Sequence, residues 1–409
     1  GQGSQEGWIE MKKCEYTENG NAITCWEANV VPDYEITKLM ANDDGKERTL
    51  SSGITPVAGK FYNITLNKDL GYTEVSEGNY TVDNEKGLKN IAKLVNDGNT
   101  GIDITLTGNI TLTGDWTPIG TSISNAYKGT FDGGGHTITG LTVTTSDQYV
   151  GLFGYIGSGG TVKDVTLEEV KIESDNEMSA VGGVVGYSYG NIENCSVSGS
   201  VSSNSTAGGV VGAQLSGSIT GCSSSATVKG VTYAGGIAGY TNGGGSLTGC
   251  YATGSISVEN NTTNAAWAGG VVGSNGSSTL TACYATGSVT SSGSGTIYAG
   301  GVTGTNDFGT LTACYHANGT ISCPGGTTGG VAGRNYKGLM SYGGIITACY
   351  WGSNGQEQGI GEDQVGTGET TKVEDDWTEA MNAMNAALQN AGSEWRYELT
   401  GALPTLKKQ

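Results

Sequence analysis

The sequence has few basic residues, few prolines and histidines, and no long apolar run. Its 409 residues contain 20 Lys and Arg against 39 Asp and Glu, which gives a net charge of −19. Such a surface repels phosphate backbones and anionic lipids, so we expect no nucleic-acid partner. No apolar stretch approaches the ~18 residues of a membrane helix, so we also predict no membrane span.

Residues with catalytic chemistry are scarce as well. Polysaccharide lyases and glycosidases need clustered carboxylates, joined by calcium and a basic residue in the lyases. Residues 182–361 supply few charges, namely Glu193, Glu259, Asp307, Glu357, Lys229, Arg334 and Lys337. Asp307, Arg334 and Lys337 follow the glycine phrase in adjacent turns and could approach one another, but we interpret them as solvated loop charges. Neither His136 nor His316 has a nucleophile or acid fixed beside it, so we expect a non-enzyme without metal or other cofactor.

Glycine, by contrast, is abundant and periodic. Among the 72 Gly, seven precede short apolar phrases such as GVVG at intervals of 26 to 34 residues: Gly151, Gly183, Gly209, Gly236, Gly270, Gly301 and Gly330. Five Pro are too few for a collagen. A period of this length is typical of a solenoid, in which each repeat buries its apolar face on its neighbours.

A second phrase, such as NIENCSV or TLTACYA, follows most of these glycines. Its key position holds Val165, Cys195, Cys222, Cys250, Cys283, Cys314 and Cys349. Apolar residues recur two and six positions after it, which is the period of an inward strand face. The apolar residue before it lies at an odd offset, so a corner must intervene. Asn, Gly or Ala fills that corner, as a left-handed backbone requires.

These patterns predict a mainly β fold, a right-handed parallel β-helix (solenoid) with short capping helices and a small β-rich N-terminal module. Turns would stack ~4.8 Å apart, and each strand would pair with strands above and below it. Like residues then form ladders along the stack. One such ladder is predicted for Asn275, Asn306 and Asn335.

The repeats resemble the GLUG motif. WTPIG at 116–120 and GTFDGGGHTITGL at 129–141 resemble the start of the β-helix in GLUG-motif proteins of gut bacteria. The likeness covers residues 116–361 and extends to SEWRYELTGALPTL at 393–406. It implies a bacterial cell-surface or secreted adhesin. Residues 51–70 resemble the last strands of a fimbrillin-like domain.

The chain is divided into three parts by composition. Residues 1–80 are predicted to form the β-rich N-terminal module. Residues 81–361 are predicted to form the β-helix, with a cap helix at about 83–97 that begins at Asp83 and ends before Gly98, and with GLUG-like repeats from about 148. Residues 362–409 are predicted to form a C-terminal cap with a helix at about 376–391. Both helices are expected to cover open ends of the β-helix.

The repeated cysteines are interpreted as small apolar residues of the core. Val165 takes the same position in the first copy, and no CxxC or histidine gives a metal a chelating geometry. Stacked thiols ~4.8 Å apart are also too far apart for the ~3.8 Å Cβ separation of a disulfide.

Cys14 and Cys25 are a different case. A hairpin turn at Asn19-Gly20 would pair residues whose numbers sum to 39, as these two do. We predict a disulfide between them, which would fit an oxidising compartment. The same register makes them a hydrogen-bonded pair, which is the poorer geometry for a cross-strand bridge, so free thiols remain the alternative.

Two aromatic ladders are the candidate binding residues. If each cysteine points inward, the residue after it points outward, so Tyr251, Tyr284, Tyr315 and Tyr350 should form an exposed stack. A second ladder is predicted for Tyr233, Trp267 and Tyr298. Such stacks either stabilise the sheet by ring stacking or are covered by a terminal segment. The functional alternative is a platform for sugar rings, with Thr253 and Thr286 as hydrogen-bonding neighbours.

The sequence favours a non-catalytic, cell-surface or secreted monomer whose β-helix displays a face for a glycan or a surface protein. The alternative is a carbohydrate-active β-helix enzyme, a polysaccharide lyase or glycosidase, with its site near Asp103, Asp115 and Asp132. A third interpretation makes the rod a spacer that carries a function located elsewhere in a longer chain.

Overall fold

The protein is described by a computed structural model that covers residues 12–18, 21–27, 36–40, 47–55, 57, 70–338 and 343–409. The chain divides into two compact units, residues 1–68 and 69–409. The boundary therefore lies between Lys68 and Asp69, whereas the sequence interpretation placed it near residue 80. The difference arises because the strands Tyr72–Ser76 and Asn79–Val82 belong to a sheet of the larger unit.

The described strands of the smaller unit form two antiparallel pairs, which agrees with the β-rich character of this part. Lys12–Glu18 pairs with Asn21–Glu27, and Ile36–Met40 pairs with Glu47–Ile54. The first pair places Cys14 opposite Cys25, so the register predicted for the hairpin is present. The turn residues 19–20 lie outside the described part, and the disulfide stays a prediction.

The larger unit is a right-handed parallel β-helix of about nine turns, and the predicted fold class is confirmed. In a complete turn the chain visits four sheets in a fixed order, and the strand of the first sheet ends just before the repeated glycine. The first sheet contains Tyr149–Val150, Ala180–Gly182, Thr206–Gly208, Tyr233–Gly235, Ala266–Gly269, Ile297–Gly300 and Thr327–Gly329. The second contains Phe153–Ile156, Val185–Ser188, Val211–Gln214, Ala238–Thr241, Val272–Asn275, Thr303–Asp307, Ala332–Tyr336 and Ile360–Asp363.

The third and fourth sheets complete each turn. The third contains Tyr72–Ser76, Asn79–Val82, Asp103–Leu106, Thr130–Asp132, Thr161–Lys163, Asn191–Glu193, Ser218–Thr220, Ser246–Thr248, Thr279–Thr281, Thr310–Thr312 and Ile345–Thr347. The fourth contains Ile110–Thr111, Thr137–Thr139, Thr142–Thr145, Thr166–Ser174, Ser196–Ser203, Ser223–Ser224, Thr227–Gly230, Tyr251–Ala252, Ile256–Asn260, Tyr284–Ala285, Val289–Gly293, Tyr315–Ala317, Ile321–Ser322, Cys349–Gly352 and Thr370–Lys372.

The corner between the third and fourth sheets has the predicted left-handed backbone. The corner residues have φ between 50° and 66°: Asp164, Asn194, Gly221, Gly249, Ala282, Ala313 and Ala348. Only this conformation lets the apolar residue before the corner and the cysteine after it both point inward. Leu280 and Cys283, for example, are both fully buried in one continuous core.

Helix α1 (Glu85–Asn96) closes the N-terminal end of this core. Leu88, Ile91 and Val95 are fully buried in the same cluster as the first strands of the third sheet. The helix begins one residue later than predicted, because the side chain of Asn84 rather than Asp83 accepts the hydrogen bond from the Gly87 N–H. A short 3₁₀ turn, Ile123–Asn125, follows in the next loop.

Helix α2 (Thr378–Asn390) has a different position from the one predicted. It does not belong to the main core, but to a second cluster that it forms with the hairpin of Trp395–Leu399 and Pro404–Lys408. That cluster includes Tyr284 and Tyr315 on the outer side of the fourth sheet. The prediction of an end cap is therefore wrong for α2. We call α2 and this hairpin, residues 378–408, the C-terminal module.

Candidate functional site

The tyrosine of the repeated phrase forms a ladder in the predicted register. Tyr251 pairs with Tyr284, Tyr284 with Tyr315, and Tyr315 with Tyr350 in successive turns. The rings of Tyr251 and Tyr284 are 5.1 Å apart and inclined by 6°, and those of Tyr284 and Tyr315 are 4.8 Å apart and inclined by 4°. The near-parallel rings show that the backbone repeat is carried through to the side chains.

The centre of this ladder is not exposed, which corrects the expectation of an exposed stack and agrees with the alternative that a terminal segment covers the tyrosines. Tyr284 is 8% exposed, and Tyr315 is fully buried, because the C-terminal module packs on both. The hydroxyl of Tyr315 donates a hydrogen bond to the carbonyl of Pro404. The ring of Tyr397 packs against both tyrosines, and its hydroxyl donates to the Ala313 carbonyl at 2.9 Å. Burial raises the pKa of Tyr284 to about 12.

The ends of the ladder remain partly exposed. Tyr350 is followed in its column by Thr371, and both Tyr350 and Tyr251 are partly exposed at the edges of the second cluster. On the other side of Tyr251 the ladder continues as hydroxyl side chains, because Ser223, Ser196 and Thr166 occupy the same column in the preceding turns. A change from tyrosine to serine along one column therefore creates a step on the surface.

An open groove of about 240 Å³ lies at this step. We call it the Tyr251 groove, and its lining is dominated by hydroxyl groups: Thr166, Leu167, Glu168, Ser196, Val197, Ser198, Ser223, Ser224, Ser225, Tyr251 and Thr253. Thr253, predicted as a hydrogen-bonding neighbour, is exposed beside the ring. Thr286 does not line this groove. Of the four predicted ladder tyrosines, only Tyr251 combines partial exposure with a groove.

The second predicted ladder is present on the outside of the first sheet. Tyr233 and Trp267 are partly exposed, and their rings stack at 4.9 Å with an inclination of 8°. Tyr298 is only 8% exposed. Its ring faces the guanidinium of Arg334 at 4.7 Å, and its hydroxyl donates to Glu362 at 3.0 Å. These contacts give Tyr298 a structural role, whereas Tyr233 and Trp267 are partly exposed.

An aromatic cluster in the early turns was missed by the sequence analysis. It contains four tyrosines whose ring centres are 5.1 to 6.1 Å apart in five contacting pairs: Tyr149, Tyr155, Tyr187 and Tyr189. A signal for it is present in the repeat, because Tyr155, Tyr187 and Tyr240 each come four residues after a repeated glycine. Tyr240 accordingly packs on Tyr233 at 5.3 Å.

The charged residues of the late turns form an ordered pair rather than separate loop charges. The Nη2 atom of Arg334 lies 2.9 Å from Oδ1 of Asp307, and both side chains are mostly buried. Tyr298 and Tyr336 flank the guanidinium at 4.7 and 4.8 Å. The interpretation as solvated charges is wrong for these two residues, because the neighbouring rings shield the pair. Lys337 is exposed, as expected.

Of the three early acids that the enzyme alternative needs, Asp103 and Asp132 are used locally, whereas Asp115 is exposed. Asp132 lies 2.8 Å from Nζ of Lys163 and accepts a hydrogen bond from the Gly134 N–H. The Asp103 carboxylate accepts a hydrogen bond from the Thr130 N–H. Desolvation by burial raises the pKa of Asp132, but the bonds from Lys163 and Gly134 outweigh it, so the net shift is downward. An ionised Asp132 is suited to an ion pair rather than to donating a proton.

His316 is fully buried in the column of the fourth sheet between Ala285 and Trp351. One ring nitrogen lies 2.9 Å from the Gly287 carbonyl, and the other lies 3.1 Å from the Asn354 amide. Burial lowers the pKa of this histidine to about 4, so the ring is neutral at pH 7. Within the described residues, no group of three His, Cys, Asp or Glu is arranged to hold a metal ion.

The repeat cysteines are free, buried thiols, as the sequence predicts. Each sulfur lies within hydrogen-bonding distance of the carbonyl two residues earlier, as Cys283 does with Thr281 at 3.4 Å. Burial raises the pKa of the Cys283 thiol well above its usual value. Cys323, which lies outside the repeat phrase, is also free. These thiols are part of the core and not of a site.

Comparisons with known proteins agree with the fold. The model of the GLUG motif family matches residues 179–202 and 203–229. Residues of this chain are 34% identical to halomucin of Haloquadratum walsbyi over 147 residues, which is 32% of this chain and 2% of halomucin. They are 39% identical over 83 residues to an Evansella cellulosilytica protein named as a Gly-rich membrane protein, which is 20% of this chain and 10% of that protein. The chain thus corresponds to a small part of either relative.

A solved structure has a similar fold. It is a Bacteroides ovatus protein named as an immunoglobulin A1 protease, with a TM-score of 0.51 and 18% identity over 80% of this chain and 92% of that chain. At this identity the likeness concerns the fold alone. The motif match and the nine-turn solenoid define the class: the chain is a parallel β-helix protein that carries the GLUG motif at residues 179–202 and 203–229. Among the described residues, no helix is long and apolar enough to cross a membrane.

Proposed function

We propose that this protein is a non-catalytic, adhesin-like protein of the cell surface or the extracellular space, and that its β-helix binds a glycan or a surface protein. The Tyr251 groove carries this proposal. An aromatic ring that is free on one side offers apolar contact to the C–H face of a sugar ring, and the serine and threonine hydroxyls beside it offer hydrogen bonds. A glycan is therefore the favoured ligand, and a protein loop rich in polar groups is the second.

The relatives support the location. Halomucin and the Gly-rich membrane protein carry names that fit a surface or extracellular setting. The composition agrees with this setting, because a net charge of −19 favours repulsion between copies of the chain and from other acidic polymers. A disulfide between Cys14 and Cys25, which the hairpin register places opposite each other, would also fit an oxidising compartment.

A glycan array with the whole chain tests the proposal. Tyr251→Ala should abolish binding to the glycans that the unchanged protein retains, because it removes the ring from the groove. Tyr350→Ala is the matched control, since Tyr350 is the other partly exposed end of the same ladder and does not line the groove. Its binding should be unchanged. Equal binding by the Tyr251→Ala variant, or no glycan binding by the unchanged protein, would contradict a glycan-binding role for the groove.

The enzyme alternative is tested separately. Incubation with acidic and neutral polysaccharides should give no shortened products, because Asp132 is paired with Lys163 and Asp103 is bonded to the Thr130 N–H. Product formation that disappears in an Asp132→Ala variant would establish a carbohydrate-active enzyme instead.

A further inference from the structure

A second groove lies next to the Tyr251 groove, on the other side of the corner at Gly249. It has a volume of about 290 Å³ and is formed where the C-terminal module meets the third sheet. Its lining consists of Thr220, Thr248, Thr281, Ala391, Ser393, Glu394, Trp395 and Lys408. The volume is near the lower limit of ~300 Å³ for small-molecule sites, so the groove fits a group about the size of one sugar ring. We call it the Trp395 groove.

The floor of the Trp395 groove is a row of hydroxyls. Thr220, Thr248 and Thr281 occupy one column of the third sheet in three successive turns, and all three are partly exposed. Within the described part of the chain, none of these hydroxyls makes a hydrogen bond. These hydroxyl groups, repeated every ~4.8 Å along the column, can each donate a hydrogen bond to a saccharide hydroxyl or accept one from it.

The wall of the groove is an indole ring held in a fixed position. A Cβ atom on Gly249 would lie 2.2 Å from Cε2 of Trp395, so the ring rests directly on the backbone of the corner. Trp395 is still partly exposed, and its Nε1 atom makes no hydrogen bond within the described residues. The ring therefore offers both an apolar surface and a free donor, the combination that suits tryptophan to sugar recognition.

The charges at the rim select against an acidic ligand. The Nζ atom of Lys408 lies 3.4 Å from a carboxylate oxygen of Glu394, so the single cation of the groove already has a counter-ion. No unpaired basic group lines the groove to receive a uronate, a sialate or a sulfate. The strongly acidic chain would also repel such ligands.

We propose that the Trp395 groove is a binding subsite for a neutral saccharide, formed only where the C-terminal module docks on the β-helix. This inference rests on the proposed glycan-binding function and names its ligand class. Thr248 and Tyr251 are three residues apart in the same turn, so the two grooves lie on either side of the corner at Gly249. The sequence analysis did not find this subsite because it treated residues 393–406 as part of a cap.

The experiment measures binding of the whole chain to immobilised neutral polysaccharides (mannan, galactan, β-glucan and xylan) and acidic ones (polygalacturonate and alginate). The unchanged protein should bind at least one neutral polymer and no acidic polymer. The double variant Thr220→Val, Thr248→Val should weaken that binding about tenfold, since each lost hydrogen bond weakens an equilibrium by about a factor of three to ten. Valine keeps the shape of threonine, so the fold should be unchanged in circular dichroism.

Thr312→Val is the matched control. Thr312 occupies the next turn of the same column but does not line the groove, so its variant should bind like the unchanged protein. Trp395→Ala should abolish binding to the neutral polymer. If this change also detaches the C-terminal module from the β-helix, the double threonine variant still tests the groove. Unchanged binding in the threonine variant together with loss in Tyr251→Ala would overturn the subsite and leave the proposed function standing. Preference for an acidic polymer would also overturn the subsite, and binding to no polymer would remove both.

Discussion

At the scale of single residues, His316 links the stability of the fold to pH. Its pKa of about 4 in the folded protein is below the value of about 6.5 expected when unfolded, so the unfolded chain binds the proton more readily between these values. The contribution of His316 to the free energy of unfolding should therefore fall as the pH drops from 6.5 to 4 and level off below 4. The shift corresponds to about 3 kcal/mol.

Thermal unfolding at pH 7 and at pH 4.5 checks this prediction against a His316→Gln variant. Glutamine can still donate to the Gly287 carbonyl but stays neutral, so the variant should lose less stability on acidification. The aspartates and glutamates contribute equally to both proteins and cancel in the comparison. Identical losses would show that the buried ring is not protonated on unfolding.

The cysteine column gives a second prediction at this scale. Cys283→Ala removes one buried sulfur and should lower the free energy of unfolding by about 1 kcal/mol or somewhat more. Cys283→Asp should be far more damaging, because it buries a carboxylate without a cation. Denaturant unfolding measures both changes. Rapid labelling of this thiol by a reagent in the folded protein would contradict the burial on which the prediction depends.

The residue pattern predicted the inside of the solenoid better than its outside. The left-handed corners and the buried cysteines follow from local rules, since period and backbone conformation decide which way a side chain points. Whether an outward tyrosine meets water depends on a distant segment. The bond from Tyr397 to the Ala313 carbonyl joins residues 84 positions apart, and no repeat periodicity encodes it.

At the scale of elements, the asparagine ladder connects the ends of the strands in the second sheet. The amide of Asn275 donates to Asn306 at 2.9 Å, Asn306 donates to Asn335 at 3.2 Å, and Asn335 donates to Asp363 at 3.1 Å. Thr241 begins the row by donating to Asn275. Each amide thus supplies its donor to the next turn, and a carboxylate, which needs no acceptor, ends the row.

Replacement of a central member of this ladder should be costly. Asn306→Leu leaves the Asn275 amide and the Asn335 oxygen without their partners in a buried place, and each loss costs about 1 to 3 kcal/mol. Thr241→Val is the control, because it removes only the first bond and should cost about 1 kcal/mol. Chemical denaturation measures both. Equal costs would mean that the ladder does not act as a connected row.

The C-terminal module depends on two corner glycines to different extents. Gly249 and Gly221 have φ of 66° and 64°, so an alanine at either place carries the same backbone strain. A Cβ at Gly249 would lie 2.2 Å from Trp395, whereas one at Gly221 would lie 3.5 Å from it and 2.6 Å from the exposed side chain of Asn194. Gly249→Ala should therefore displace Trp395, and Gly221→Ala should not.

Hydrogen exchange followed by mass spectrometry checks this difference. Amides of residues 393–408 should exchange faster in Gly249→Ala, while Gly221→Ala should show the pattern of the unchanged protein there. The same exchange rate in both variants would mean that the indole can move aside without loosening the hairpin.

The helices show the limit of sequence reasoning at this scale. The apolar stripes of α1 and α2 predicted both helices, but a stripe does not say which surface it will meet. α1 meets the open end of the core and α2 meets the tyrosine ladder. Met384 and Leu388 are fully buried in the second case, although no residue of the main core contributes to their cluster.

At the scale of the whole molecule, the larger unit has two hydrophobic clusters that share no residue. One extends from α1 to Trp351, and the other contains the C-terminal module and its tyrosines. Tyr397→Ala should weaken the second cluster only, so residues 378–408 should exchange their amide hydrogens faster while the strands of the β-helix keep their protection. Faster exchange throughout the larger unit would show that both clusters unfold together.

The return of the C-terminal hairpin to the side of the stack also has a mechanical consequence. The hydroxyl of Tyr397 contacts the carbonyl groups of Cys283 and Ala313, which lie in middle turns of the stack rather than in its last turn. A force applied at Gln409 with optical tweezers would act on the hairpin and break its contacts with the fourth sheet one after another. The C-terminal module would detach and unfold first. The stacked turns would bear the force only after the unfolded module is fully extended.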